Sequence, residues 1–279
     1  MSSPVLSFLA NDNLPSRDDI VTMCKEAGYH RRGIPFRSQP SEAISAWIKY
    51  GPYVTMAEAL TQDWVAKALN ADPGAAVRVP QVYQAFTSDN PDCRIGYIVM
   101  EYIDTPDCDH RDVQLVAKAV QTLISLRGPN TAPGPVGGGP VVHTFFVEWT
   151  SPITYETAEE LEQHINGILK FKGDTRRINL VADARDGLRL CPCDINPTNF
   201  KKDRDGKAVA LDFGATCFLP PSFFAVAMEK AVDPFAWKVA KHIRYPRTSD
   251  VAAMVSASYH LVHFGRDDIG LPKDLRQRL

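Results

Sequence analysis

Apolar positions along this chain recur at two periods, and the switches between them mark out the elements. Residues 45–50 read as a short strand, with Trp47 and Ile48 beside Lys49, and Gly51-Pro52 closes it. From Thr55 to Asn70 the residues Met56, Leu60, Trp64, Ala68 and Leu69 fall at helical spacing, and Thr55 and Glu58 stand as a capping box would place them. Asp72-Pro73-Gly74 then turns the chain into two further strands over 79–86 and 95–102. The second, IGYIVMEY, is apolar enough to be largely buried. The first fifty residues show no sustained period, and Pro15, Pro35 and Pro40 interrupt them.

A turn-rich stretch, Asp104-Thr105-Pro106-Asp107, suits a hinge, and a domain boundary is placed there, giving lobes over 1–103 and 104–279. Beyond it, Val113, Val116, Val120, Leu123 and Ile124 line one face of a helix over 111–126, with Gly128 as its stop. A proline- and glycine-rich loop covers 131–140. A second helix spans 157–169, with Thr157 and Glu160 as its capping box. Residues 200–202 and 208–213 flank Asp205-Gly206 as a hairpin, and 222 to about 264 is mostly helical, broken near Asp233-Pro234 and Tyr245-Pro246. The result is an α+β chain: a small antiparallel-sheet N-lobe and a larger, mostly helical C-lobe.

Composition narrows the function classes. A chain of 279 residues has room for one large domain or two modest lobes. Lys and Arg total 31 against 33 for Asp and Glu, a net charge of -2, without the basic excess that nucleic-acid binding needs. No stretch approaches the ~20 apolar residues of a membrane span, and the N-terminus has no basic and apolar leader pattern. Cys24, Cys93, Cys108, Cys191, Cys193 and Cys217 are too sparse for a disulfide framework, and C-P-C at 191–193 lacks zinc-ligand spacing. The expectation is a reduced, cytoplasmic protein with neither a nucleic-acid nor a membrane partner.

The chemistry concentrates in CPCDINPTNF, residues 191–200, followed by AVALDFG, residues 208–214. An Asp, an Asn five residues on and a second Asp at the end of an apolar strand, with a turn between, suit phosphoryl transfer. That reaction needs hard oxygen ligands for Mg²⁺ and a carboxylate beside the attacking group. Asn199 and Asp212 can hold the metal while Asp194 faces the acceptor.

This ordered set resembles the aminoglycoside phosphotransferase branch of the protein-kinase-like fold, and fungal members most closely. The Asp-x-x-x-x-Asn part of the family loop matches at Asp194 and Asn199, and Asp-Phe-Gly matches at 212–214. Lys49 in AWIKYG resembles the strand lysine that holds nucleotide phosphates, and Glu58 resembles its ion-pair partner. Met100, Glu101 and Tyr102 are similar to the segment whose backbone meets adenine. The resemblance implies a two-lobed fold, ATP and Mg²⁺ as cofactors, and a small-molecule acceptor with a hydroxyl or amine. Asp194 is then catalytic, Asn199 and Asp212 bind the metal, and Lys49, Glu58 and residues 100–102 bind the nucleotide.

Two departures keep alternatives open. Pro192 stands where the family loop has a supporting histidine and Cys193 where it has glycine, and no glycine-rich hairpin precedes Lys49. A catalytically impaired binding protein, or a kinase-like fold reused for a nucleotide-independent small-molecule reaction, are the other readings. Locally, Glu58 has a second role in capping its own helix. Tyr29, His30, Arg31 and Arg32 read as solvated surface. Residues 137–139 read as a flexible loop near the acceptor, and Cys191 and Cys193 as small semi-buried side chains. Glu148, Glu229 and Asp233 are, by rough position in the chain, candidates for the acidic residues that the resemblance implies beside a cationic acceptor.

Overall fold

One antiparallel sheet with two apolar faces organises the first third of the chain. The computed structural model describes residues 5–37, 44–89 and 94–279, so Pro40 and Cys93 lie outside the described residues. The elements run β1 (Leu6–Ser7), α1 (Arg17–Ala27), β2 (Gly33–Arg37), β3 (Ile44–Gly51), α2 (Met56–Asn70), β4 (Val77–Arg78), β5 (Val82–Asp89) and β6 (Arg94–Met100). The sheet order is β1-β5-β6-β3-β2, with all pairs antiparallel. Alternation along each strand divides its side chains between two clusters. Ile48, Tyr50, Phe86, Tyr97 and Val99 pack on Ile20 and Cys24 of α1. Ala85, Ile98 and Met100 pack on Ala59 of α2, with Trp47 against them.

The larger lobe is mostly helical: α3 (Val113–Ser125), α4 (Ala158–Lys172), α5 (Leu180–Asp183), α6 (Ser222–Glu229), α7 (Pro234–Ala240) and α8 (Asp250–Phe264). Four short strands sit among them: β7 (Arg189–Pro192), β8 (Phe200–Lys202), β9 (Ala208–Ala210) and β10 (Thr216–Leu219). β7 pairs with β10, and β8 with β9. The small lobe contributes β4 to this side, where Val77 and Arg78 run parallel to β9. Helix α2 joins both lobes as well, because its C-terminal residues Val65, Ala66 and Leu69 are buried in the large-lobe core.

Several local expectations hold and several do not. Thr55 Oγ1 accepts from Glu58 N–H at 3.1 Å and Thr157 Oγ1 from Glu160 N–H at 3.2 Å, so both N-caps form. The reciprocal half of each box is missing. Glu58 reaches Lys49, and Glu160 accepts from the Glu156 N–H at 2.8 Å. Helix α3 ends at Ser125, and its C-cap, Leu126, lies two residues before Gly128. Gly128 instead lies flat on Phe218, where an added Cβ would come within 2.9 Å of the ring. Cys191 and Cys193 are fully buried rather than half-buried, at 2% and 4% exposed. The loop at 137–139 is held from its start, where Val136 N–H donates to Thr61 Oγ1 of α2 at 3.0 Å.

Two buried histidines give the large lobe a defined acid sensitivity. His143 Nδ1 accepts from Phe145 N–H at 2.9 Å, which leaves Nε2–H facing the Phe223 carbonyl at 3.1 Å. His164 lies between the Tyr155 hydroxyl at 2.5 Å and the Ile269 carbonyl at 2.9 Å. Burial pushes His143 down to about 3 and His164 down to about 4, from an ordinary value of 6.5. A depressed folded pKa means that the unfolded chain takes up protons first. The stabilisation is therefore full above pH 6.5 and lost as pH falls toward the folded values. With both histidines contributing, the urea-derived stability is expected to fall by roughly 3 kcal/mol per pH unit between about pH 6 and pH 4, where the unfolded chain carries both protons and the folded chain neither. A flat profile from neutrality to about pH 5 would contradict this assignment.

Candidate active site

Lys49 lies on β3 two residues from Trp47, so both point to the same face of the strand. Helix α2 starts beneath that face and presents Glu58 from its first turn. The Lys49 ammonium donates to Glu58 Oε1 and, at 2.9 Å, to Asp212 Oδ1. A residue of the small-lobe sheet thus bridges carboxylates from the helix and from the large lobe.

The electrostatics follow from burial. Desolvation opposes the Lys49 charge, but Glu58 and Asp212 outweigh it and hold the pKa above its ordinary value. Burial raises the Asp212 carboxyl, yet Lys49 charge and hydrogen bonding prevail and hold it below the usual carboxylate range. Glu58, with 2% of its side chain exposed, is pushed up by burial, against the pull of Lys49. Removing Lys49 would leave a buried carboxylate without a partner.

Asp212 follows β9 and takes a left-handed backbone, φ 56°, which a non-glycine residue adopts at a cost of about 1–3 kcal/mol. The Leu211 N–H donates to the Asn199 carbonyl at 2.8 Å, which ties this corner to the preceding loop. In that loop Asp194 accepts from Asn196 Nδ2 at 3.1 Å and from Asn199 Nδ2 at 3.1 Å. Asn199 Nδ2 also donates to the Asp194 carbonyl at 2.9 Å, and Asn199 Oδ1 has no hydrogen-bond partner among the described residues. Pro192 ends β7, and Cys193 N–H donates to the Ala215 carbonyl at 3.1 Å.

Asp194, Asn199 and Asp212 line one small pocket of about 20 Å³. Two carboxylates and a free amide oxygen are hard donors of the kind Mg²⁺ takes. Among the described residues no cluster of three or more His, Cys, Asp or Glu is placed to hold a metal. A metal here would therefore have few protein ligands. Mg²⁺ is bound in that manner, keeping several waters and sharing substrate phosphates.

A cavity of about 780 Å³ opens beside the Lys49 cluster, and Lys49, Glu58, Asp212 and Glu148 line it. Arg31 and Arg32 line it too, so the 29–32 segment expected as plain solvated surface faces the cavity. No single-residue signal marks them, since they precede β2, whose pairing with β3 is not legible in the sequence. Trp149 also lines this cavity and has φ 59°. Asp212 and Trp149 are the two non-glycine residues with positive φ among those described, and strain of that kind concentrates at functional sites.

The remaining expected residues lie elsewhere. Met100 is buried and its sulfur receives a hydrogen bond from Gln62 at 3.4 Å. Glu101 accepts from Arg78 with both carboxylate oxygens at 3.0 Å. Glu101 and Tyr102 line a second cavity, of about 740 Å³, with Asp203 and Lys207. Glu229 ends α6 and Asp233 caps α7, and neither lines the cavity beside Lys49.

No protein-family model matches the sequence, and no curated protein matches it. The fold is similar to that of a provisionally assigned fructosamine-3-kinase from Haemophilus somnus, at 16% identity over 79% of this chain and 76% of the other, with a TM-score of 0.45. It is also similar to a thermostable mutant of an aminoglycoside phosphotransferase, at 12% identity over 81% and 82% and a TM-score of 0.44. Choline kinase from Streptococcus pneumoniae matches at 16% identity over 86% and 85%, with a TM-score of 0.40.

Proposed function

We propose that this protein is a phosphotransferase that moves a phosphoryl group from a Mg²⁺-bound polyphosphate donor, ATP by the sequence resemblance, to a hydroxyl or amine of a small molecule. The observation that carries it is the convergence of Lys49 of β3, Glu58 of α2 and the distant Asp212 beside the Asp194–Asn199 loop. Residues 104–107 form the hinge between a small lobe and the acceptor-binding large lobe.

Each side chain then has a distinct task. Lys49, fixed by Glu58, offers a cation to the donor phosphates. Asn199 Oδ1 and the Asp212 carboxylate would hold Mg²⁺, which when bound neutralises phosphate charge. Asp194, aimed by the Asn196 and Asn199 amides, orients the acceptor and takes its proton. The acceptor oxygen or nitrogen bonds to phosphorus as the bond to the leaving phosphate oxygen breaks. Glu148 supplies negative charge for a cationic acceptor.

A panel of hydroxylated and aminated small molecules with Mg²⁺ and donor tests this reading. Donor-dependent formation of a phosphorylated product is expected. Turnover of an acceptor without any donor would favour the nucleotide-independent alternative.

A further inference from the structure

The cavity beside Lys49 reaches Glu58 and Asp212 but stops short of Met100, Glu101 and Tyr102, where the resemblance places the nucleobase. Trp47 stands opposite Met100 in the pairing of β3 with β6. Its ring stacks on Tyr102, with centroids 6.4 Å apart and planes inclined by 26°. A flat ring held between two others needs them about 7 Å apart, twice the optimal carbon contact. Planes whose centroids are 6.4 Å apart leave no such gap.

Gly33 of β2 completes the enclosure. A Cβ at that position would come within 2.6 Å of the indole Nε1, so only glycine leaves room for the ring. Its backbone lies outside the positive-φ region, and the missing side chain therefore serves the indole rather than a turn. At the open end, Arg31 and Arg32 are exposed and line the cavity; their backbones bond to Gly28 and Tyr50, while their guanidinium groups have no hydrogen bond or ion pair among the described residues. Guanidinium groups suit phosphate oxygens.

We propose that Trp47 fills the nucleobase position and that the phosphoryl donor is recognised through its polyphosphate alone, by Lys49 with Arg31 and Arg32. This rests on the phosphotransfer reading above and narrows it: the base of ATP contributes nothing to binding. The donor class is any Mg²⁺-bound polyphosphate that the cavity admits.

Calorimetric titration with Mg²⁺–tripolyphosphate and Mg²⁺–ATP tests it. Wild type should bind both with affinities within about threefold, and Trp47→Ala should bind ATP at least about tenfold more tightly while tripolyphosphate affinity stays within about threefold. The tripolyphosphate arm reports that the variant is folded. Tyr102→Ala, which removes the ring beneath the indole and leaves β3 untouched, should shift ATP affinity in the same direction. Two results would overturn the proposal: wild type binding ATP at least about tenfold more tightly than tripolyphosphate, or retained tripolyphosphate binding with no ATP gain in either variant. Failure of wild type to bind either ligand would instead remove the phosphotransfer reading, and this inference with it.

Discussion

Replacing Asp194 by Asn is expected to lower the rate of phosphoryl transfer by about 10²–10⁴-fold, the contribution of a positioned base, with little change in acceptor KM. The substitution keeps the side-chain volume but removes the carboxylate proposed to take the acceptor proton. It also sets an amide against the Asn196 and Asn199 Nδ2 groups, which donate to Asp194 at 3.1 Å each. Lost proton transfer and lost orientation act in the same direction. Steady-state kinetics on the acceptor found in the panel, with the urea midpoint as a folding control, reads the result. A folded Asp194→Asn protein that turns over at the wild-type rate would remove Asp194 from the mechanism.

The second large effect concerns stability and reaches the same site through packing. Gly96 of β6 faces the turn between β3 and α2, and a Cβ there would lie 1.9 Å from the Val54 carbonyl oxygen. The backbone must move to admit one methyl group. Gly96→Ala is therefore expected to destabilise by about 3 kcal/mol, at the upper end of overpacking effects. Val54 immediately precedes Thr55, the N-cap of α2, so the shift carries Glu58 away from Lys49. Urea unfolding at constant m-value measures the loss, and polyphosphate binding should weaken in the folded fraction. A change within about 0.5 kcal/mol, as at an ordinary surface position, would contradict the close approach.

The parts of this architecture that were legible are those in which local pattern and tertiary role coincide. Strand β3 alternates, α2 carries its own cap, and the hairpin turns at Asp205-Gly206, so Lys49, Glu58, Asn199 and Asp212 could be placed on elements without coordinates. The residues before β3 were illegible for physical reasons. Helix α1 buries two residues, Ile20 and Cys24, and so shows only a faint apolar face. Strand β2 contains Pro35, tolerated because β2 is at the sheet edge, and proline obscures a strand pattern. Strands β7 and β10 have four residues each and are short for any period to show.

What sequence spacing cannot reveal is which side chain fills a space. Trp47 was read as an apolar strand residue, and its stacking on Tyr102 depends on a contact across 55 positions, from 47 to 102. Arg31 and Arg32 gained their meaning the same way, from the cavity they border with Lys49. The motif residues pointed to a phosphate and metal site, whereas the residues proposed to select its donor lie outside the motif.

In the proposed mechanism Asn199 and Asp212 hold a metal beside Lys49 and a bound polyphosphate. Crystals grown with Mn²⁺ and tripolyphosphate, measured at the manganese absorption edge, test it most directly. The account predicts an anomalous peak about 2 Å from both Asn199 Oδ1 and the Asp212 carboxylate, with phosphate oxygens completing its shell near Lys49. Tripolyphosphate bound in the cavity with no manganese between those two residues would contradict it.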